Sequence, residues 1–264
     1  MEPQSPGSPT KVNREIYDRC YTPQHLRLKP TVPYDRRMIE LRFGLLARYG
    51  EGRDVLDLCC GTGSYLVPML HRFRRAVGVD FSSRMLEGLR SALNGRPLGN
   101  LTLVMADATA LPLASDGFDF VYSFSSLYYV PLVERAISEI GRVLRPGGFA
   151  AIELGNRLSL NTLVSLVQHE DERAARPFHV GYRRMLTAMR GAGLHIREHR
   201  AFQLLPMHGV PERLRFLYPV LTPRWKSVLG IKLGPRMLDE WVSGAWPLRH
   251  LAFRQLLVAE RAGS

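Results

Sequence analysis

The chain has 264 residues, 45% of them hydrophobic and 23% charged, and its 36 Lys and Arg against 24 Asp and Glu give a net charge of +12. That length and balance suit one substantial folded core with large insertions. No stretch approaches the roughly 20 apolar residues that a membrane-spanning helix needs. The opening MEPQSPGSPT has neither a basic n-region nor an apolar run, so residues 1–10 read as a disordered leader rather than a secretory signal. Three cysteines, Cys20, Cys59 and Cys60, two of them adjacent, exclude a disulfide framework and make a reducing cytoplasm the expected setting.

The charge is unevenly spread. Residues 1–155 carry 19 basic and 16 acidic groups, and residues 156–264 carry 17 and 8. A basic face attracts phosphates, nucleic acid or anionic lipid. Yet only four basic residues are lysines (Lys11, Lys29, Lys226 and Lys232), and codon composition alone can produce such an arginine bias. Both readings stand at this point.

In chain order, residues 12–20 and 35–48 read as helices, the second with Met38, Leu41, Leu45 and Leu46 on one face. They make residues 11–52 an N-terminal helical cap. From residue 53 short apolar runs alternate with helical stretches. Strands are expected at 53–58, 76–80, 101–106, 118–124 and 149–154, with helices at 63–72, 84–93 and 132–144. The alternation implies crossover connections and a doubly wound α/β domain over 53–264, with a mostly parallel sheet covered on both faces. A helix over 182–190 and strands over 194–205 and 253–260 complete seven strands, the last two as a hairpin around a long excursion. The irregular segments at about 156–180 and 206–250 are the expected substrate-side lids.

Three acids stand where the chemistry of such a sheet concentrates. Val55-Leu56-Asp57-Leu58-Cys59-Cys60-Gly61-Thr62-Gly63 runs an apolar strand into a glycine turn that opens a helix, where a ligand can approach the backbone closely. The dinucleotide pattern G-x-G-x-x-G would need glycine at 66, which is Leu66. Asp57 before the glycines favours a ligand with a cationic amino group. Asp80 closes the second strand, where a carboxylate can accept from both ribose hydroxyls. Asp107 follows the third and can accept from an adenine amino group. Each has a bland alternative as a helix cap or turn residue. Their recurrence at successive carboxyl ends is what points to one ligand.

The segments VLDLCCGTGSY (55–65), VGVDFSSRML (77–86), MADATALPLASDGFDFVYS (105–123) and EIGRVLRPGGFAAIE (139–153) resemble the class I S-adenosylmethionine (SAM)-dependent methyltransferases, in particular the group with ubiquinone/menaquinone and small-molecule enzymes. The resemblance covers residues 53–155 and implies SAM as cofactor. It places Asp57, Cys59, Gly61 and Gly63 at the methionine moiety and Asp80, with Phe81 after it, at the ribose. Met85 would border the adenine, Asp107 and Ala108 would read its edge, and Ser123 would stand near the methyl group. Tyr17 or Tyr21 would close over the cofactor. Cys59 replaces the family's first glycine.

No Asp/Asn-Pro-Pro-aromatic turn follows the fourth strand, where Ser123-Phe124-Ser125-Ser126 stands, which argues against base amino methylation and a nucleic-acid acceptor. Only Glu153 and Asn156 lie where related enzymes bind a divalent metal, so no metal is expected. The expected reaction is in-line O-methylation of a small molecule or glycan, with His179 the first candidate base, ahead of His169 and His208. Alternatives are a quinone, lipid-linked or RNA acceptor, or SAM binding without transfer. Aromatic and basic residues mix over 216–246, which suits an anionic or lipid-linked acceptor, a peripheral membrane contact or a homodimer interface.

Overall fold

A computed structural model describes residues 9–20, 28, 30–95, 99–168, 175, 177–206 and 224–263. The main sheet is built from β1 (Asp54–Leu58), β2 (Arg75–Asp80), β3 (Leu101–Met105), β4 (Phe118–Ser123), β5 (Leu144–Gly155), β6 (Leu194–Phe202) and β9 (Arg254–Arg261). Its order is β3-β2-β1-β4-β5-β9-β6. β1 to β5 pair in parallel, and β9 runs antiparallel between β5 and β6. The doubly wound, mostly parallel seven-stranded sheet is therefore present, with the final hairpin formed by β6 and β9.

Both sheet faces are covered because both carry apolar side chains. Val55, Phe120 and Tyr122 pack with Leu46 and Tyr49 of α2 (Pro33–Gly50), with Leu66 and Met69 of α3 (Leu66–Met69), and with Leu86 and Leu89 of α4 (Ser83–Ala92). Leu56, Val79 and Val121 face the other way, onto Val133, Ile137 and Ile140 of α5 (Val133–Val143) and Met185 and Met189 of α7 (Tyr182–Gly191). Nearly every one of these side chains is sealed from water. Burying each contributes about 1.5–3 kcal/mol before the entropy of ordering is counted.

Several expectations need correction. Pro9 and Thr10, at the end of the expected 1–10 leader, are helical as the start of α1 (Pro9–Cys20), and residues 1–8 lie outside the described residues. The helical cap is no separate layer: Tyr34, Met38, Leu45 and Leu46 of α2 belong to the same core as the sheet. The helix expected over 63–72 shrinks to α3 and one 3-10 turn at Leu70–Arg72, since residues 59–65 form a ligand-type loop instead. The segment at 156–180 contains α6 (Leu160–Gln168). Within 206–250 the described residues form α8 (Trp225–Leu229), a ribbon of β7 (Lys232–Leu233) and β8 (Arg236–Met237), and α9 (Leu238–Gly244). Gly230 after α8 abuts the start of α2 so closely that a Cβ would lie 2.3 Å from the Tyr34 amide nitrogen. No helix among the described residues is long and apolar enough to cross a membrane.

Candidate active site

The chain winds outward from β1 through β2 to β3, then crosses back to β4 on the other side of β1. Helices leaving β1 and β4 diverge there, so a crevice opens at the carboxyl ends of those strands. A cavity of about 220 Å³ occupies that position, lined by residues of the loops after β1, β2, β3 and β4.

The loop after β1 bends sharply. Cys59 (φ 62°), Gly61 (φ 53°) and Gly63 (φ 73°) all take left-handed backbone conformations. Cys59 does so as a side-chain-bearing residue, which costs roughly 1–2 kcal/mol and is found chiefly where a site fixes the backbone. Cys59 and Gly61 line the cavity. Gly63 does not, and its placement corrects the expected role. A Cβ there would lie 2.8 Å from Leu89 Cγ and 2.9 Å from Val67 Cγ2, so this glycine lets the loop seat on α4.

Asp57, Asp80 and Asp107 all line the same cavity. Asp57, on β1, accepts from the Tyr122 hydroxyl at 2.9 Å. Burial pushes its carboxyl up to about 8, with the Asp80 charge adding to the rise against the Tyr122 hydrogen bond. Asp80 accepts from Gly61 N at 2.8 Å and Ser82 N at 3.0 Å, and so pins the glycine loop to the end of β2. Burial raises it to about 6 despite those donors. Ser82, not Asp80, caps α4 through its hydroxyl, which accepts from Met85 N at 3.2 Å. Asp107 accepts from Thr109 N at 2.9 Å and Thr109 Oγ1 at 2.8 Å, closing a local turn. A carboxylate offers about four acceptor positions. Buried acids with raised pKa, facing a cavity and partly satisfied, suit a ligand that brings a cationic group and hydroxyl donors.

These two acids also shape stability. Their folded pKa values, about 8 and about 6, exceed the unfolded value near 3.9, so the native state binds more protons than the unfolded state in between. Stability of the ligand-free protein should therefore fall as pH rises, by about 2 kcal/mol between pH 6 and 8. Thermal melts across that interval check it. Asp57→Asn should flatten most of the slope, and an unchanged slope would contradict the assignment.

Tyr17 of α1 lines the cavity, its ring 5.5 Å from Phe81 and 6.1 Å from Tyr129. The helix is held there by Asn13 Nδ2 donating to Tyr129 O at 3.0 Å and by Ser82 Oγ donating to Asp18. Phe81 and Ala108 line the cavity. Met85 and Ser123 do not: both are fully buried, Met85 in α4 and Ser123 against the Cys59 thiol. Tyr21, His169 and His208 lie outside the described residues. His179 is not among the lining residues. It sits apart from the cavity, with Nδ1 2.8 Å from Thr162 Oγ1 and its ring 5.0 Å from that of Phe253. Among the described residues, none from the two expected lids lines the cavity; α1 and the loop after β4 do so.

Sequence reasoning missed the other end of the site. Arg42 of α2, Tyr65 and Ser125 line the cavity there. Glu153, fully buried on β5, takes Arg42 Nε at 2.7 Å, Arg42 Nη2 at 2.8 Å, Ser125 N at 3.0 Å and Arg254 Nη1. Burial opposes its ionisation, but the two guanidinium groups hold the carboxyl down at about 2. Ser125 takes a left-handed φ of 59° to aim both its N–H and its hydroxyl at this carboxylate. Both Glu153 oxygens are thus occupied by guanidinium groups, and Asn156 Nδ2 donates to His250 O at 2.7 Å and Ala252 O at 3.1 Å.

A family described as a methyltransferase domain matches residues 56–152, the stretch that builds this crevice. That stretch, 97 of the 264 residues, resembles the methyltransferase domains of that family. A demethylmenaquinone methyltransferase of Listeria welshimeri is 35% identical to the chain over 106 residues, which is 39% of this chain and 45% of the relative. The chain therefore matches less than half the length of that curated relative. Two solved structures share the fold over nearly the whole chain. A geranyl diphosphate C-methyltransferase from Streptomyces coelicolor A3(2), in complex with Mg2+, geranyl diphosphate and S-adenosyl-L-homocysteine (SAH), is 17% identical with a TM-score of 0.62, covering 98% of this chain and 100% of that one. A SAM-dependent methyltransferase and possible histamine N-methyltransferase from Thermotoga maritima is 18% identical with a TM-score of 0.60, covering 94% and 99%.

Proposed function

We propose that this chain is a SAM-dependent methyltransferase acting on a small organic acceptor. The observation that carries the reading is that Asp57, Asp80 and Asp107, from three successive strand ends, line one cavity. The residues present fit the cofactor. Asp57 would face its cationic amino group, Asp80 would accept from the ribose diol, and Asp107 with Ala108 would meet the adenine edge. Bound SAM supplies a sulfonium-activated methyl group. The chain's own work is then to position and to dry the site. Asp80 fixes the glycine loop as well as the ribose, and Tyr17 on the pinned α1 covers the cavity. Burial keeps the Cys59 and Cys60 thiols protonated, so they do not compete as nucleophiles.

No histidine is among the described lining residues, and His179 is held by Thr162. Of the three candidate bases, His179 therefore lies away from the cavity, and His169 and His208 lie outside the described residues. A second reading, a quinone or lipid-linked acceptor, is favoured by the match to a demethylmenaquinone methyltransferase and by exposed Trp241, Trp246 and Ile231 beside Arg236 and Lys232. Incubation with methyl-labelled SAM and fractionated cell extract separates the readings. Label in the water-soluble small-molecule fraction is the expected result, and label in the lipid extract supports the second reading. Label in RNA, or none in any fraction, contradicts both.

A further inference from the structure

The cavity has two chemically opposite ends. Over β3, β2 and β1 stand three acids, and over β4, β5 and β9 stands a cationic cluster. In that cluster Arg42 and Arg254, each 8% exposed, share the single carboxylate of Glu153, which is 0% exposed. Glu153 stays ionised because its carboxyl is held at about 2, so the three side chains together carry a net charge of +1 in a largely buried position. Asp239, another buried acid, feels the Arg254 charge but forms no ion pair with it among the described residues. Its oxygens take Tyr34 Oη at 3.1 Å, Gln203 N at 2.8 Å and Ser243 Oγ at 2.7 Å.

The donors of the triad are also in excess. A guanidinium has five N–H groups. Arg42 uses four, on Glu153, Tyr65 Oη and Ser125 Oγ, and the second N–H on its Nη1 has no acceptor among the described residues. Arg254 Nε is fully buried and likewise has none. An excess buried cation with unfilled donors is costly in isolation, and an incoming anion relieves both deficits at once. Arg42 borders the cavity, and Ser125, which accepts from Arg42 Nη2 at 2.8 Å and Arg254 Nη1 at 2.7 Å, forms the wall between them.

We propose that the Arg42–Glu153–Arg254 triad is the acceptor-recognition site, and that the acceptor presents an oxygen-centred anion, a carboxylate or a phosphate, to Arg42 at the β4–β5–β9 end of the cavity. This rests on the methyltransferase reading above. Arg42 is the contact residue. Arg254 acts through Ser125 and Glu153 as a positioning residue that supplies the excess charge. The positive charge at Arg42 draws such an anion to its own end of the cavity, which orients the acceptor with its anionic group away from the adenosine side.

The test uses the full chain saturated with SAH and titrated calorimetrically with benzoate and, separately, with inorganic phosphate. Arg254→Met removes the excess charge yet leaves the two-point Arg42–Glu153 pair intact, so the fold should survive. Arg254→Lys restores the charge. The expected result is saturable binding of one probe to the wild type, weakened at least about tenfold in Arg254→Met and returned to within about threefold by Arg254→Lys. SAH affinity should be the same in all three proteins. Absence of saturable binding of either probe below about 10 mM, or equal binding in Arg254→Met, would overturn the proposal. So would a loss of SAH affinity in Arg254→Met with probe binding unchanged, which would assign the triad to the cofactor's own carboxylate. If the wild type itself fails to bind SAH, the underlying reading falls instead.

Discussion

Glu153→Ala should lower the stability of the protein by about 3–5 kcal/mol, the largest single-residue effect expected outside the apolar core. The substitution removes the one carboxylate that Arg42 and Arg254 share, leaving two guanidinium groups packed together without a counter-charge. It also strips Ser125 of the acceptor for its N–H and hydroxyl, at a residue already in a left-handed conformation. At roughly 2–4 °C per kcal/mol for a chain of this size, the melting temperature should fall by about 6–20 °C. The pair also predicts non-additivity: Glu153→Ala combined with Arg254→Met should be less damaging than the sum of the two, because the second change removes one of the stranded charges. A folded-state carboxyl held at about 2 lies below its unfolded value, so its contribution is complete above about pH 4.5 and is lost as pH falls toward 2. Chemical denaturation of the three variants measures all of this. A Glu153→Ala protein within 1 kcal/mol of the wild type would contradict the buried triad.

The acid end of the site was legible in the sequence, and the cationic end was not. Asp57, Asp80 and Asp107 each follow a short apolar run, and a parallel sheet places such positions side by side, so local pattern sufficed. Arg42 left a faint signal. It falls four residues after Met38 and three before Leu45, on the same face of α2 that enters the core, where an arginine is out of keeping unless paired. Its partner lies 111 residues away and Arg254 pairs with Glu153 across 101 residues, contacts that no local period can reveal. His179 was chosen because it stood in an irregular segment, and the fold instead uses that segment to cover the β5–β9 side, with Thr162 holding the ring. Gly63 was read as a ligand contact because ligand loops and close-packed loops select glycine for the same steric reason, and only the nearness of Leu89 and Val67 distinguishes them. The two-residue strands at 232–233 and 236–237 escaped notice because so short a ribbon has no alternation to detect.

Asp80→Ala should be the most damaging change for cofactor affinity. Asp80 is 6% exposed, holds Gly61 N and Ser82 N, and faces the cavity, so its loss removes the ribose acceptor and loosens the glycine loop together. Hydrogen bonds to a charged group are worth about 1.5–3 kcal/mol each, and loss of the pair to a ribose diol corresponds to affinity weaker by roughly 100-fold or more. The helix α4 should survive, since Ser82 caps it. Equilibrium titration of SAH into purified wild-type and Asp80→Ala protein at pH 7.5 asks the question most directly. Convergence of the three carboxylates on one nucleoside predicts saturable single-site binding to the wild type, weakened by about two orders of magnitude in Asp80→Ala. A wild-type protein with no saturable affinity for SAH, or a variant that binds it equally well, would contradict the account.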